Sequence, residues 1–449
     1  MKAFKAYDIR GVWGTDLNEE IAYRIGYFLP EVLPAKTYLV GRDMRLSSDT
    51  VFANLANGLR DRGVNVESVG LSTTPMIYWA TAKYGYEASV MITASHNPSN
   101  HNGMKISAKD AKPVGYDTGL NKLEKLVESD IKPVPVDKPG TISEINLYSE
   151  YVEFQQQFMG NLDNLKVTID CSNGASNIFI KRLLGETPYY INDTLDGRFP
   201  GHEPNPLEAE NQEQIKELVK KNKCDIGLLF DGDADRITFI DEKGQFISPD
   251  LIIAFLGNYF LGEKKQKGIV LQDIRSSRAI QEYLGKLYNA KVETWRVGRA
   301  YAALKLRELD GCFGGELAGH YYFRDFYYSD SGIMAALLVL RLLSQFKAQG
   351  KSMSMIIKEI SGYHNSGEIN FTIEKKKEAM DAVRDHFMNL EKPERFLDFD
   401  GYRLDYHDWW LNIRPSNTEP YLRFLCEAKD EKKLKEIIET VTKIVKANS

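Results

Sequence analysis

The segment 37–70 reads TYLVGRDMRLSSDTVFANLANGLRDRGVNVESVG, and its pattern decides the fold class. TYLVGRD (37–43) predicts a strand that reaches its end near Gly41. DTVFANLANGLRDRG (49–63) has apolar residues at helical spacing and a terminal glycine, which predicts a helix. NVESVG follows as a second strand. A strand, a helix and a strand at this rhythm indicate a βαβ unit and a mixed or parallel sheet.

The same rhythm returns twice, although the three sets resemble one another only loosely. KVTIDCSNGA (166–175) predicts a strand, a glycine turn and a helix, and DIGLLF (225–230) and RITFID (236–241) predict strands joined by an acidic turn. A third set comprises GIVLQD (268–273), a helix near 276–288, KVETW (291–295) and a helix from about 298. After Gly362 the pattern changes to a smaller α+β unit that ends in an amphipathic helix. The chain is therefore predicted to have an α/β fold.

Three linker-like stretches divide the chain into four predicted domains. They are KPVPVDKPG (132–140), the turn near Gly244 and the segment around SGYHNSG (361–367). The predicted domains are residues 1–138, 139–246, 247–362 and 363–449, called the first to fourth domains below.

Composition excludes several classes of protein. Hydrophobic residues make up 43% and charged residues 27% of the 449 residues, which is typical of a soluble globular chain. The net charge of -5 argues against a general nucleic-acid-binding face. Four widely spaced cysteines without CxxC spacing suggest reduced thiols, and the N-terminus shows no apolar leader, so we expect a cytoplasmic location and no membrane association.

An unusual polar loop, TASHNPSNHNGMKIS (93–107), follows the predicted strand ASVMITA. It places Ser95 at the start of a cluster of turn-forming residues. A serine at this position is a candidate nucleophile or phosphate carrier if a base or a cation lies nearby. The alternative is a Ser-Asn turn that only bonds its own backbone.

The acidic turn DGDADR (231–236) predicts a metal site. Asp231, Asp233 and Asp235 alternate, so in an extended segment their carboxylates would point to one side. Like charges this close repel unless a cation holds them, and hard oxygen ligands favour Mg²⁺ or Ca²⁺ over zinc. An EF-hand is excluded because Arg236 occupies the position that needs glycine. The alternative is a solvated acidic turn.

Two further loops carry polar side chains after predicted strands. GGELAGH (314–320) contains Glu316 and His320, but alone it is a weak signal because His320 could be purely structural. RPSNTEP (414–420) offers a guanidinium, two hydroxyls and an amide, which suit a phosphate. The chain lacks GxxxxGK[ST] and a GxGxxG after any predicted strand, so a nucleotide P-loop or a dinucleotide site is not supported.

Taken together, TASHNP, DGDADR, GELAGH and RPSNTEP resemble the motifs of the α-D-phosphohexomutase superfamily in order and spacing. KAYDIRG (5–11) and VGRDMR (40–45) fit the same family, and the start is similar to that of bacterial phosphomannomutase/phosphoglucomutase enzymes. The resemblance covers the whole chain. It implies three related mixed-sheet α/β domains plus a smaller C-terminal α+β domain around a central cleft.

The resemblance implies a phosphoryl-transfer function for the Ser95 loop. Ser95 would carry the phosphoryl group, and hexose 1-phosphate and hexose 6-phosphate (mannose and/or glucose) would interconvert through a hexose 1,6-bisphosphate, which also serves as activator. Mg²⁺ would be bound by the serine and the acidic turn. The implied metal ligands are Ser95, Asp231, Asp233 and Asp235.

The resemblance also assigns the remaining site residues. Those implied near the phosphoserine, as catalytic or charge-stabilising groups, are Arg10, His96, Lys105 and Arg236. Glu316 would bind the sugar hydroxyls O3 and O4 in both orientations of the substrate. Those implied to bind the phosphosugar elsewhere are Arg275, Arg299, His320, Arg414, Ser416, Asn417, Thr418 and Arg423.

Two positions depart from the family pattern. Ala318 stands where the sugar loop usually has serine, and Arg299 stands where a histidine is frequent. Both lie in the predicted sugar-recognition domain, so they bear on the identity of the sugar and leave the phosphoryl chemistry untouched. The alternative within the superfamily is a phosphoglucosamine mutase, and rivals outside it are a phosphatase and a calcium-dependent sugar-binding protein. We expect a monomer or a homodimer.

Overall fold

Four separate β-sheets organise the chain in the computed structural model. The structure describes residues 1–416 and 421–448. Over these ranges the sheets contain seven, five, five and six strands, and helices cover them. The predicted α/β class, with a smaller α+β unit at the C-terminal end, is confirmed.

The first sheet is formed by the N-terminal part of the chain. Its strands are β1 (Ile9–Val12), β2 (Thr37–Arg42), β3 (Asn65–Leu71), β4 (Ala88–Ile92), β5 (His101–Ala108), β6 (Lys112–Pro113) and β7 (Ile142–Glu144). Its helices are α1 (Glu19–Val32), α2 (Ser48–Asp61), α3 (Thr74–Lys83) and α4 (Leu120–Glu128). Strand β7 pairs in parallel with β3, so the first sheet continues beyond residue 138.

The second and third sheets follow in sequence. The second unit comprises α5 (Tyr148–Gln156), β8 (Val167–Asp170), α6 (Ile180–Leu184), β9 (Tyr189–Ile191), α7 (Glu213–Asn222), β10 (Ile226–Phe230), β11 (Ile237–Asp241) and β12 (Phe246–Ile247). The third comprises α8 (Pro249–Gly257), β13 (Val270–Asp273), α9 (Arg278–Tyr288), β14 (Val292–Trp295), α10 (Arg299–Glu308), β15 (Phe313–Gly315), β16 (Tyr321–Phe323), β17 (Ser329–Asp330), α11 (Gly332–Ala348) and α12 (Met353–Ile360).

These two sheets have the same topology. In each, the first strand along the chain pairs in parallel with the next two, one on either side, and two antiparallel strands complete one edge. The first sheet contains the same arrangement of β3, β2, β4 and β5. The loose similarity among the three sequence sets therefore reflects one shared architecture.

The fourth sheet has six strands, and its paired strands are antiparallel. Its elements are β18 (His364–Asn365), β19 (Ile369–Thr372), α13 (Lys376–Leu390), β20 (Arg395–Leu397), β21 (Tyr402–Asp405), β22 (Trp409–Pro415), β23 (Tyr421–Ala428) and α14 (Glu431–Ala447). The predicted linker around 361–367 contains β18, which pairs with the end of β23. This segment therefore belongs to the fourth sheet.

Local chemistry explains where these elements begin and how they are covered. Asn18 caps α1 by accepting from the backbone N–H of Ile21, and Thr73 caps α3 in the same way. All five residues of β10 are buried, as expected for a strand covered on both faces. The apolar run in α11 is likewise buried against the core. Among the described residues, no helix combines the length and the apolar character that a membrane crossing needs.

Candidate active site

The Ser95 loop follows β4 and is held in a strained conformation. Ser95 is buried and has a φ of 51°, in the left-handed region that costs a non-glycine residue about 1 kcal/mol. Its Oγ donates a hydrogen bond of 2.8 Å to Oδ2 of Asp231. Gly232 lies against the same loop, because a Cβ there would be 2.5 Å from the Ser95 carbonyl oxygen. The loops of the first and second sheets therefore meet at the serine hydroxyl.

A buried arginine donates hydrogen bonds to the backbone of this loop. Arg45 donates through Nη2 to the carbonyl oxygens of Ser95 at 2.8 Å and Asn97 at 2.6 Å. Its guanidinium is itself held by Asp43, with Nε 3.2 Å from Oδ2. Neither Arg45 nor Asp43 was predicted as a site residue, although VGRDMR (40–45) was the signal that contained both.

The acidic turn connects β10 to β11 and brings its three carboxylates together. Asp231, Asp233 and Asp235 are fully buried, and each offers an oxygen within 4.8 Å of the others. The turn was predicted, but strand-like alternation is not what brings its carboxylates together. Residues 232–235 form a turn in which Ala234 has a φ of 63°, and this curvature, rather than strand alternation, makes the carboxylates converge.

Lys105 on β5 partly compensates the acidic turn. Its Nζ donates to Oδ2 of Asp233 at 2.6 Å and also to Oδ2 of Asp235. Burial opposes the charge of Lys105, but the two carboxylates prevail and raise its pKa. The hydroxyl of Thr74, at the start of α3, also donates to Asp233. Thr74 was not predicted, because nothing in its local sequence signals this long-range contact.

The remaining oxygens of the turn fit a divalent cation. Oδ1 of Asp233 and Oδ1 of Asp235 are buried and have no hydrogen-bond donor among the described residues. Burial, together with the charges of Asp233 and Asp235, raises the pKa of Asp231 well above its ordinary value. Three converging carboxylates with unused oxygens are the donor set that a hard cation such as Mg²⁺ requires.

Two more predicted residues border the serine. Nδ1 of His96 lies 3.4 Å from the Ser95 Oγ, and burial, followed by the charge of Arg236, lowers the pKa of His96 well below its usual range. Arg10 on β1 donates to Oδ1 of Asn97 at 2.7 Å and to Asp8 at 2.5 Å. The structure thus brings Arg10, His96 and Lys105 to the Ser95 loop.

A chain of hydrogen bonds connects the acidic turn to the third sheet. Nε of Arg236 donates to Nε2 of His320 at 2.8 Å, so Nδ1 of the imidazole carries the proton that it shares with Asp330 at 2.6 Å. The other Asp330 oxygen accepts from Nε of Arg299 at 3.1 Å. Arg299 also lies over the Tyr78 ring, with 3.7 Å from Cζ to the ring centroid. Asp330 is a further residue that was not predicted, because no motif in the sequence contains it.

Glu316 follows β15 and is buried. Its Oε1 accepts from the hydroxyl of Tyr322 at 2.6 Å, and its Oε2 accepts from the backbone N–H of Gly298 at 3.2 Å. Burial raises the pKa of Glu316 above its ordinary value. The carboxylate is therefore oriented by two donors of the third domain, and Tyr322 was not among the predicted residues.

The predicted phosphate-binding arginines come from two sheets. Arg275 follows β13 and pairs with Asp273, 2.8 Å between Nη2 and Oδ2. Its Nη1 lies 3.9 Å from Glu368, which also pairs with Arg423 on β23 at 2.9 Å. Arg414 is buried near the end of β22 and donates through Nε to Oδ1 of Asp400 at 3.1 Å. Glu368 thus bridges the third and fourth sheets.

The rest of the loop after β22 is only partly described. The backbone N–H of Ser416 donates to the carbonyl oxygen of Tyr421 at 2.9 Å. The predicted residues Asn417 and Thr418 lie outside the described residues.

The chain matches one family along its length. Residues 1–133, 147–244 and 248–363 match "Phosphoglucomutase/phosphomannomutase, alpha/beta/alpha" domains I, II and III, and residues 368–444 match the C-terminal domain of the same family. The chain belongs to this family. The predicted membership in the α-D-phosphohexomutase superfamily, and with it the prediction of an isomerase of carbohydrate metabolism, is confirmed.

Similar proteins cover almost the whole chain. A phosphomannomutase of Escherichia coli (strain K12) is 37% identical, covering 97% of each chain. A phosphomannomutase of Methanocaldococcus jannaschii is 35% identical, covering 99% of this chain and 98% of that protein. The crystal structure of a phosphoglucomutase/phosphomannomutase family protein from Burkholderia thailandensis superposes with a TM-score of 0.88 at 27% identity, covering 100% of this chain and 97% of that chain.

Proposed function

We propose that the protein interconverts hexose 1-phosphate and hexose 6-phosphate through a phosphorylated Ser95, with mannose and glucose as the hexoses. The observation that carries this proposal is the 2.8 Å hydrogen bond from Ser95 Oγ to Asp231, in a turn with two more buried carboxylates. Phosphoryl transfer depends mainly on positioning and on stabilisation of charge. The hydrogen bond positions the serine hydroxyl, and Lys105 at the acidic turn supplies positive charge.

The reaction consists of two phosphoryl transfers, the first from Ser95 to the sugar and the second from the sugar back to Ser95. In the first, the Oγ–P bond of phosphoserine breaks while a hydroxyl oxygen of the hexose phosphate bonds to phosphorus, which gives a hexose 1,6-bisphosphate. The proton of that hydroxyl ends on the released Ser95 Oγ. The sugar then turns over in the cleft. In the second, Ser95 Oγ takes the other phosphoryl group, and the hexose recovers a hydroxyl. Free hexose 1,6-bisphosphate would activate the enzyme by phosphorylating an unmodified serine.

The carboxylates of Asp231, Asp233 and Asp235 would hold Mg²⁺, which when bound supplies positive charge beside the phosphoryl group. Lys105 contributes a fixed cation at the same place. Its Nζ lies 2.6 Å from Oδ2 of Asp233, so we assign it a charge-stabilising role at the turn.

Glu316 is proposed to accept hydrogen bonds from sugar hydroxyls O3 and O4. Its two oxygens are held by Tyr322 and Gly298, so the carboxylate has a fixed direction before substrate arrives. O3 and O4 are presented similarly in the two orientations of the sugar, and mannose and glucose share them. We therefore expect the two hexose 1-phosphates to differ by no more than about tenfold in kcat/KM, or about 1.4 kcal/mol.

A coupled assay tests this proposal. The purified protein is given mannose, glucose and glucosamine 1-phosphates with Mg²⁺ and glucose 1,6-bisphosphate, and both the 6-phosphate product and inorganic phosphate are measured. We expect 6-phosphates of mannose and glucose without net phosphate release. A wide preference for glucosamine 1-phosphate would instead indicate a phosphoglucosamine mutase. Release of inorganic phosphate would indicate a phosphatase. Calcium-dependent sugar binding without turnover would indicate a non-catalytic sugar-binding protein.

A further inference from the structure

The loop between β14 and α10 belongs to the third domain. It is contacted by residues of the first, third and fourth domains. The carbonyl oxygen of Val297 accepts from the hydroxyl of Tyr7 in the first domain at 3.0 Å. The N–H of Val297 donates to Oδ2 of Asp400 in the fourth domain at 2.8 Å. The next N–H, that of Gly298, donates to Glu316. The main chain of residues 297–298 therefore touches the sugar-reading carboxylate on one side and Asp400 on the other.

Asp400 uses its second oxygen for a different partner. Oδ1 accepts from Nε of Arg414 at 3.1 Å, and the side chains of Asp400 and Arg414 are 10% and 4% exposed. A charge-assisted hydrogen bond at this degree of burial is among the stronger polar contacts in a protein. One carboxylate thus joins Arg414 of the fourth domain to the loop of the third domain.

The backbone around Asp400 is shaped for this contact. Gly401 has a φ of 71°, and a Cβ at this position would lie 2.4 Å from Cβ of Arg414. Only glycine therefore lets the turn lie against the arginine. On the other side, the ring of Phe399 packs against Trp295, with 5.4 Å between centroids. Both neighbours of Asp400 in the sequence fix its place between the two domains.

The contact with Asp400 engages only the Nε edge of the Arg414 guanidinium. Nε of Arg414 is engaged by Asp400, whereas Nη2 is buried and has no hydrogen-bond partner among the described residues. An arginine oriented through Nε can present its terminal nitrogens to a phosphate, because the guanidinium is planar and its donors have fixed directions.

We propose that Asp400 is a positioning residue that orients Arg414 toward the non-reacting phosphate and ties it to the sugar-reading loop at Val297. This inference rests on the proposed function. Asp400 thereby connects the arginine that would bind the phosphate to the carboxylate that would bind the sugar. The connected residues are Arg414, Asp400, Val297, Gly298 and Glu316. The distance and orientation between the phosphate-binding and sugar-binding groups are thereby fixed before the substrate binds.

A double-mutant cycle tests the proposal with mannose 1-phosphate and glucose 1,6-bisphosphate in the mutase assay. The variants are Asp400→Ala, Asp400→Asn, Arg414→Ala and the double variant Asp400→Ala/Arg414→Ala. Because Asp400 acts through Arg414, we expect Asp400→Ala to raise KM about tenfold, with a smaller decrease in kcat. In the double variant KM should exceed that of Arg414→Ala by clearly less than tenfold, because only the tie to Val297 is still lost once Arg414 is absent.

Two comparisons keep the test decisive. Asp400→Asn retains one acceptor oxygen and cannot serve both donors, so its KM should lie between those of the wild type and Asp400→Ala. It also gives the answer if Asp400→Ala does not fold, as judged by its melting transition. Asp398→Asn is the matched control, since Asp398 is an exposed acid two residues away, and it should leave both constants unchanged.

The proposal is overturned if both Asp400 variants keep KM within twofold of the wild type, or if the effects of Asp400→Ala and Arg414→Ala multiply in the double variant. Independent effects would mean that Asp400 only stabilises the fold. Failure of the proposed function is a separate outcome, because it would appear as absence of mutase turnover in the wild-type protein.

Discussion

The serine–aspartate end and the arginine end of the site are built in different ways. At the first, Ser95 and the acidic turn lie in loops at the ends of buried strands, and Lys105 and Thr74 hold the carboxylates. At the second, Arg414 is held by Asp400, Arg275 is held by Asp273 with Glu368 3.9 Å away, and the connecting contacts cross from the third domain to the fourth.

This difference separates chemistry from recognition. The first end is buried, and Lys105, 2.6 Å from Asp233, compensates only part of its negative charge, which suits a site that adds a cation to stabilise charge in the transition state. The second end depends on how two domains dock, and it includes guanidinium nitrogens of Arg414 and Arg299 without partners among the described residues. Changes at the first end should therefore act mainly on kcat, and changes at the second mainly on KM.

The largest effect is expected for Ser95→Ala. Loss of the hydroxyl removes the phosphoryl acceptor, so kcat should fall by at least about 10³-fold, or about 4 kcal/mol. Steady-state turnover of glucose 1-phosphate measures this. Ser99→Ala is the control, because Ser99 is exposed in the same loop and should have no effect. Turnover of Ser95→Ala within tenfold of the wild type would remove Ser95 from the chemistry.

Asp233→Asn should have the next largest effect. Removing one of three formal charges weakens Mg²⁺ binding and the stabilisation of the transition state, and loss of one such group commonly costs about 3–4 kcal/mol. We expect kcat to fall by roughly 10²- to 10³-fold and the Mg²⁺ concentration for half-maximal activity to rise. The exposed Glu210→Gln is the control. If kcat and the metal dependence are unchanged, Asp233 has no role in metal binding or catalysis.

Arg414→Ala should act on binding. Hydrogen bonds to charged groups contribute about 1.5–3 kcal/mol, so we expect KM for the hexose phosphate to increase roughly tenfold to a hundredfold with a smaller loss in kcat. Arg384→Ala, in α13 of the same domain, should leave KM unchanged. If Arg414→Ala instead lowered kcat alone, the contrast between the two ends would be incorrect.

The smallest effect concerns the docking of the third and fourth domains. Buried Glu427 on β23 accepts from the hydroxyl of Ser277 at 2.6 Å across this boundary. Burial, followed by the charge of Asp250, raises the pKa of Glu427 from 4.5 to about 7. Such a carboxyl contributes most to stability below pH 4.5, and that contribution is lost as the pH rises to about 7.

Melting temperatures between pH 4.5 and pH 8 measure this effect. The wild type should lose on the order of 2 kcal/mol more stability over this range than Glu427→Gln, which has no carboxyl to titrate. Parallel pH profiles for the two proteins would show that Glu427 does not sense pH.

The sequence predicted the serine–aspartate end better than the arginine end. The strands 225–230 and 236–241 begin within one residue of β10 and β11, and the acidic turn between them stands out in the sequence itself. The path of the main chain within the turn was not predictable, because nothing in the sequence signals the left-handed conformation of Ala234. Arg45, Thr74 and Asp330 were missed because they reach the site from a loop, the start of α3 and β17, far away in the chain.

At the arginine end, the sequence predicted the residues but not their connections. Arg275 follows β13, and Arg414 lies near the end of β22. Asp400 lies in a segment without any pattern, and its role depends on the position of residue 297 about a hundred residues earlier. Contacts between domains leave no periodicity in the sequence, so only the folded chain reveals them.

The central claim is that Ser95 carries the phosphoryl group. The most direct measurement is intact mass and peptide mapping of the protein after incubation with glucose 1,6-bisphosphate and Mg²⁺. We predict one added phosphoryl group, located on Ser95 and discharged to the sugar when glucose 1-phosphate is supplied. Phosphate on another residue only, in protein that retains full mutase activity, would contradict this account.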